Sequence, residues 1–231
     1  MPVFLRRRNT HLSERMDDPG CDLGMLNNTY FQFRHINTVL SRSRDLYTRF
    51  LRPAMRAARR YRLLDIGFGG GDIILQLARW ALQDGYDLQL IGVDIDERAY
   101  DYASKLPTPD CVEFRHCDVA DLVQQGERFD FVIGNHMLHH LDKKSLLSLL
   151  SNAQQLCMGA AMFTDLARGD LAYALFWLLT MVGFPNSYIR EDGLTSLRRS
   201  FTWKELRAVA PPGWRAEKLR PFRLTLSYHA A

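Results

Sequence analysis

Leu63-Leu64-Asp65-Ile66-Gly67-Phe68-Gly69-Gly70-Gly71-Asp72 is the stretch from which the fold of this chain is read. A short apolar run ends in an acid, Asp65. Glycines follow at alternate positions, Gly67, Gly69 and Gly71, with a fourth at Gly70. Then Ile73, Ile74, Leu77, Ala78 and Ala81 repeat with helical spacing. The order is strand, glycine turn, helix. Glycine serves where the backbone needs positive φ or must approach a ligand closely, and a helix start offers free N–H groups. The stretch reads as the floor of a nucleotide-type pocket.

Outward from it, the hydrophobic period alternates between two and 3.6. Strands are expected at 62–66, 88–93, 112–115, 129–134, 160–164, 215–219 and 222–228. Helices are expected at 71–83, 97–105, 143–156, 171–182 and 202–209, the last opened by the capping pattern Thr202-Trp203-Lys204-Glu205. Such alternation predicts an α/β fold with a parallel sheet covered on both faces. The last two strands follow each other across Arg220-Pro221, which predicts an antiparallel hairpin. Residues 1–27 look irregular, with turn signals at Asn27-Asn28. Helical spacing then runs from Thr29 to Arg60, where Pro53 starts a new helix or kinks the old one.

Length and composition bound the rest. A chain of 231 residues, 47% hydrophobic, holds one good core with at most a small appendage. Four cysteines lack zinc-site spacing, which fits a reduced, cytoplasmic chain. Arg6-Arg7-Arg8 has no apolar segment after it, so no signal peptide is expected. The longest apolar run, residues 171–184, is short of the ~20 needed to span a bilayer. Charge is uneven: residues 1–62 carry +8 and residues 63–231 carry −4. The basic segment is either a solvated helical face or a surface for nucleic acid or lipid.

Three further features land at one edge of the expected sheet. Asp94 ends the strand Leu90-Ile91-Gly92-Val93, 23 residues after Gly71, where a carboxylate can accept both hydrogen bonds of a ribose diol. Asp96 better suits the cap of the next helix. Asp118 follows the third strand, where an acid can accept from an exocyclic amine. Phe129-Asp130-Phe131-Val132-Ile133-Gly134-Asn135-His136-Met137-Leu138-His139-His140-Leu141 is a strand ending in a polar cluster.

Together these features resemble the class I S-adenosylmethionine-dependent methyltransferases, over about residues 63–228. Asp65 to Gly71 matches their D-x-G-x-G-x-G, whereas a dinucleotide turn needs a small residue where Asp72 stands. The resemblance implies a Rossmann-like, seven-stranded, mostly parallel sheet with an antiparallel C-terminal hairpin. Residues 1–62 would be a helical lid, and 63–231 the methyltransferase domain with a substrate-covering insert at 167–193. S-adenosyl-L-methionine is the implied cofactor. Gly67, Gly69 and Gly71 would lie under it, and Asp65 would hold its amino-acid end directly or through water. Asp94 and Ile95 would bind its ribose side, Asp118 and Val119 its adenine, and Asn135 its methionine portion. A narrower likeness is to small-molecule methyltransferases found beside type III polyketide synthases. It rests on Glu14-Arg15-Met16-Asp17-Asp18-Pro19 with Tyr30 and Ile36-Asn37, and on Asp192 to Thr202. Leu197 and Ser200 depart from the Val and Ala usual there.

Methyl transfer from a sulfonium needs alignment and exclusion of water, and a hydroxyl acceptor gains from a base. His139, His136 and Asp165 are the candidates; His136 and His139 would share a face if their helix starts early. Tyr30, Arg34, His35, Trp177 and Tyr188 are expected to meet the acceptor. The insert is rich in apolar and aromatic residues, which suits a flat, greasy molecule. No carboxylate cluster of the magnesium-dependent type is visible, so no metal is expected. The expected activity is methylation, O-methylation first, of a hydrophobic, aromatic hydroxylated natural product. No nucleic-acid partner and no membrane span are expected; a homodimer is open. The alternatives are an RNA or protein methyltransferase using the basic segment, or an inactive cofactor-binding protein. The turn Asn135-His136-Met137-Leu138 differs from the N-P-P-Y turn of amino-methylases acting on nucleic acids.

Overall fold

The computed structural model describes residues 2–181 and 183–230, the side chain of Val39 excepted. Seven strands form one sheet: β1 Arg60–Ile66, β2 Asp87–Asp94, β3 Val112–His116, β4 Phe129–Asn135, β5 Cys157–Leu166, β6 Arg215–Leu219 and β7 Arg223–His229. Their order is β3-β2-β1-β4-β5-β7-β6. β1 pairs in parallel with β2 and β4, and β2 with β3; β6 and β7 are antiparallel. The order reverses at β1, the strand that feeds the glycine turn. The expected α/β class, with its mostly parallel sheet and terminal hairpin, is the fold observed.

Helices occupy the connections: α1 Leu23–Leu40, α2 Asp72–Gln83, α3 Glu97–Ala103, α4 Val119–Gln124, α5 Lys143–Leu156, α6 Asp170–Leu179, α7 Ile189–Arg199 and α8 Trp203–Val209. No helix among the described residues is long and apolar enough to cross a membrane.

By its contacts the chain forms two compact units, interleaved in sequence. The glycine-turn unit comprises Phe33–Asn135, Ser148–Met162 and Tyr228–Ala231. The histidine unit comprises Met1–Gln32, His136–Leu147 and Phe163–Ser227.

In the glycine-turn unit, β1 buries Leu63, Leu64 and Ile66, the near-continuous apolar run of a strand covered on both faces. α2 turns Ile73, Ile74, Leu77, Ala78 and Ala81 inward. β1 begins two residues before the expected start because the parallel register sets Arg60 opposite Asp87, and the two form an ion pair at 2.8 Å. After α1 the chain makes a π-turn at Leu46–Leu51 and a 3-10 turn at Arg52–Ala54. Pro53 lies in the first turn of the latter, where its missing N–H is no loss.

In the histidine unit two expectations are corrected. α1 starts at Leu23, not near Thr29, because Asp22 accepts from the Met25 amide at 2.8 Å and so caps the helix. Asn27-Asn28 is therefore helical. Asn28 spends its side-chain amide on the carbonyls of Pro185 and Asn186 rather than on a turn. The second correction is α7, which the apolar period does not reveal. Its buried face includes Asp192, Ser196 and Arg199, so burial there does not follow hydrophobicity. α6 ends at Leu179; Val182, with which the expected helix closes, lies outside the described residues.

Candidate active site

The glycine turn uses a left-handed backbone geometry that glycine adopts at least cost. Gly67, Gly69 and Gly71 all have positive φ. A Cβ on Gly71 would also stand 2.9 Å from the ring of Phe114. The Gly67 amide donates to the Val93 carbonyl at 2.8 Å, tying the end of β1 to β2. The Gly69 amide donates to Asp94 Oδ2 at 2.9 Å, and Asp94 Oδ1 accepts from the Asp96 amide at 3.0 Å. An ionised carboxylate offers about four lone-pair sites, so Asp94 keeps capacity to accept from a ligand. Asp96 caps α3 and pairs with Arg98, so its carboxylate is already used.

Three acids surround this turn. Asp65 is buried at the end of β1, Asp94 ends β2, and Asp72 opens α2, where it accepts from Asn37 Nδ2 at 3.1 Å. Burial pushes the Asp65 carboxyl well above its usual range, and the charges of Asp72 and Asp94 push it further. Burial raises Asp72 to about 6 against the hydrogen bond from Asn37. Burial also raises Asp94. Such a turn is a poor phosphate cradle, because Asp72 stands at the helix N-terminus where an anion would bind. It suits a cationic ligand. S-adenosylmethionine carries an ammonium and a sulfonium, so the residues present fit it.

The other expected cofactor residues lie in the same unit. Ile95 is exposed just after β2. Asp118 caps α4 in a capping box with Asp121, and Val119 is the first residue of that helix. Asn135 ends β4, half-buried. The structure thus gathers Asp65, the three glycines, Asp94, Ile95, Asp118, Val119 and Asn135 at the carboxyl ends of β1 to β4.

The histidine unit holds a second polar centre. The chain makes a 3-10 turn at Leu138–His140. This turn aims His139 at Asp165, near the end of β5, and both are buried. His139 Nδ1 lies 2.7 Å from Asp165 Oδ1, and the His139 amide donates to Oδ2 at 2.8 Å. On the other side, Glu14 Oε1 lies 3.2 Å from His139 Nε2. Ser196 donates to the same Glu14 oxygen at 2.8 Å. Burial works against charge on His139, but Asp165 and Glu14 overrule it and raise the ring to about 10. For Asp165, burial is likewise outweighed by the His139 charge, and the carboxyl is held well below its usual range. The carbonyls of His139 and Leu141 accept from Arg8, each at 2.9 Å, and that of His140 from Arg199 at 3.1 Å.

His136 does not share a face with His139. It has φ of 57°, and the helical turn begins only at Leu138. His136 Nε2 lies 2.7 Å from Arg223 Nη1, and since a guanidinium can only donate, that nitrogen accepts. Burial, reinforced by the Arg223 charge, holds His136 well below its usual value and neutral.

The five expected acceptor residues divide between the units. Arg34 and His35 are exposed on α1 in the glycine-turn unit, with Arg34 Nε 3.3 Å from His35 Nε2. In the histidine unit Tyr30 is buried and Trp177 is partly exposed on α6. The Tyr188 hydroxyl accepts from the Asp22 amide at 2.9 Å, so it already helps hold the start of α1. Sequence reasoning leaves Glu14 and Arg223 without a role. No local spacing links Glu14 to His139, 125 residues away.

Residues 63–158 match the family model described as a methyltransferase domain. No curated protein matches the chain. Among solved structures, the plantazolicin methyltransferase BpumL in complex with a triazolic desmethylPZN analog and SAH is similar at 13% identity, with 90% of this chain and 95% of that one covered and a TM-score of 0.64. The magnesium protoporphyrin IX methyltransferase ChlM from Synechocystis PCC 6803 with bound SAH is similar at 15% identity, with 94% and 91% covered and a TM-score of 0.54. At these identities the likeness is one of fold.

Proposed function

We propose that the chain is a class I S-adenosylmethionine-dependent methyltransferase that methylates a hydroxyl group on a hydrophobic, aromatic small molecule; the match of residues 63–158 to a methyltransferase-domain model and the likeness of fold to BpumL and ChlM support the reading. The observation that carries the hydroxyl acceptor is the buried pair of His139 Nδ1 and Asp165 Oδ1, 2.7 Å apart. A carboxylate on Nδ1 fixes the ring so that Nε2 is the nitrogen available for proton transfer.

The bound cofactor supplies a methyl group on a sulfonium that leaves as a neutral thioether. The remaining work falls to the chain. Asp65 and Asp72 hold the cationic end of the donor, whose positive charge favours the ionised carboxylates that burial opposes. Asp94 accepts from the ribose hydroxyls, while Gly69 and Asp96 fix its orientation. Asp118 and Val119 meet the adenine, Ile95 flanks the ribose, and Asn135 faces the methionine portion. Within the histidine unit, residues 167–193 cover the acceptor and exclude water, with Tyr30, Trp177 and Tyr188 against it. α6 supports a greasy acceptor, since Leu171, Leu175 and Leu178 are exposed on it.

His139 receives the acceptor proton. With Glu14 and Asp165 both beside it, the ring favours its protonated form. An acceptor hydroxyl that displaces Glu14 from Nε2 removes one of the two carboxylates that favour that proton, which brings the ring back toward the range where it works as a base. His136, neutral and bound to Arg223, keeps the turn in place.

Nothing specific favours a nucleic-acid substrate. Arg42, Arg52, Arg59, Arg60 and Arg62 each pair with a carboxylate, so much of the basic charge of residues 1–62 is neutralised locally. BpumL and ChlM, named for plantazolicin and magnesium protoporphyrin IX, support a small-molecule acceptor. The test is incubation with methyl-labelled S-adenosylmethionine and alkyl-substituted phenols, with RNA and a protein lysate in parallel. Label in a phenol ether is expected; label confined to RNA or protein overturns the reading.

A further inference from the structure

We propose that Glu14, His139 and His140 form a binding site for a divalent transition-metal ion of the zinc class. Three carboxylates gather around two adjacent histidines in the histidine unit. Each ring has its Nδ1 held by a different acid: His139 by Asp165 at 2.7 Å, His140 by Asp17 at 3.0 Å. Both Nε2 atoms are left facing the two oxygens of Glu14. His139 Nε2 lies 3.2 Å from Oε1, and His140 Nε2 lies 3.7 Å from Oε2. One donor atom from each of the three residues lies within 4.8 Å of the other two.

These are the dimensions of a metal site. Zinc binds imidazole nitrogen and carboxylate oxygen at about 2.0–2.2 Å, so tetrahedral neighbours stand roughly 3.3–3.6 Å apart. Metal-ligating histidines regularly give their other ring nitrogen to a carboxylate, which fixes the tautomer and strengthens the ligand. Here both histidines do so. Three protein ligands also leave a fourth position open. The ring of His140 is partly exposed, which gives an ion a route from solvent.

A proton on His139 is the rival occupant, and it fits less well. His139 Nε2 is buried yet has no hydrogen-bond partner among the described residues, although Glu14 is 3.2 Å away. The carboxylate is near but off the line of the N–H. A proton needs its acceptor in line. Metal ligands instead point at a shared centre and stand oblique to each other. A proton on His139 also leaves unexplained why His140 turns its own Nε2 to the second Glu14 oxygen. Arg8 and Arg199 bring two positive charges to this turn, but Glu14, Asp17 and Asp165 bring three negative ones. The ion and the proton would compete for His139 Nε2. The site does not rest on the methyl-transfer reading, because binding is measured without cofactor or acceptor.

The experiment is titration of the chelator-treated full chain with Co²⁺, followed by its visible absorption, then displacement by Zn²⁺. One equivalent with the intense bands of tetrahedral cobalt is expected. His140→Ala and Glu14→Gln should each weaken binding at least about tenfold, and Asp17→Asn by about 10- to 100-fold. Far-UV circular dichroism checks that each variant folds, and S-adenosylmethionine binding checks the glycine-turn unit. The proposal is overturned if the unmodified chain binds neither ion. It is also overturned if His140→Ala and Glu14→Gln, both folded, bind as tightly as the parent.

Discussion

The amide of Gly69 donates to the carboxylate of Asp94 across 2.9 Å, so the acid that ends β2 also holds the tip of the glycine turn. Asp94 thus joins two parts of the proposed pocket floor. If Asp94 accepts from the ribose as proposed, Asp94→Ala should remove those contacts and loosen the turn together. Hydrogen bonds to a charged group are worth roughly 1.5–3 kcal/mol each, so losing one weakens Kd by about 10- to 100-fold. Calorimetric titration with S-adenosylmethionine measures it. Unchanged affinity in a folded variant would sink the ribose assignment.

Two glycines with nearly the same φ separate backbone strain from crowding. Gly71 (φ 74°) faces Phe114, whereas Gly85 (φ 75°) has no atom within 4 Å of its would-be Cβ. Gly85→Ala should lose about 1–2 kcal/mol for the left-handed conformation alone. Gly71→Ala should lose that and about 1 kcal/mol or more for the clash. Chemical denaturation of both variants reads the difference. Equal losses would mean that Phe114 yields and that the glycine is present for φ only.

The glycine turn and the acid that ends β2 were legible because they are local or regularly spaced. Asp65 to Asp72 is one contiguous stretch, and Asp94 follows at the end of the next strand. The sheet was legible because parallel strands are apolar runs with helices between them. The centre at His139 was only half legible. His139 and Asp165 each close a strand–turn segment and could be named, but Glu14 comes from an irregular segment with no periodic signal. α7 was hidden because its buried face carries Asp192, Ser196 and Arg199, which serve hydrogen bonds rather than the core. The start of α1 was hidden because Asn27-Asn28 is a turn signal that tertiary partners override.

Asp72 makes the ligand-free protein pH-sensitive. Its folded value is about 6 against a reference of 3.8, raised by burial. A group raised in this way contributes stability that is fully present below the unfolded value and is lost as pH rises through the folded one. Stability from this residue should therefore fall between about pH 4 and pH 6.5, by about 3 kcal/mol at most. Asp72→Asn should flatten that part of the profile. Thermal unfolding of both proteins across this range checks it, and the difference between them isolates Asp72 from Asp192, which is also raised to about 6. If the difference between variant and parent does not change with pH, the Asp72 assignment fails.

The pair of His139 and Asp165 separates chemistry from binding. His139 belongs to the histidine unit, while every hydrogen bond described for Asp94 lies within the glycine-turn unit. His139→Ala should therefore slow turnover on a phenolic acceptor by about 10²–10⁴-fold, the range of a lost general base, with S-adenosylmethionine affinity nearly unchanged. Asp165→Asn keeps the shape but removes the charge that faces Nδ1, so it should slow turnover too. It should also destabilise the fold, since breaking a buried ion pair costs about 3–5 kcal/mol. Single-turnover rates with labelled cofactor, beside calorimetric Kd values, distinguish the outcomes. A His139→Ala protein that turns over at the parent rate would make the pair structural. A drop in cofactor affinity as large as the drop in rate would place the effect in binding rather than in proton transfer.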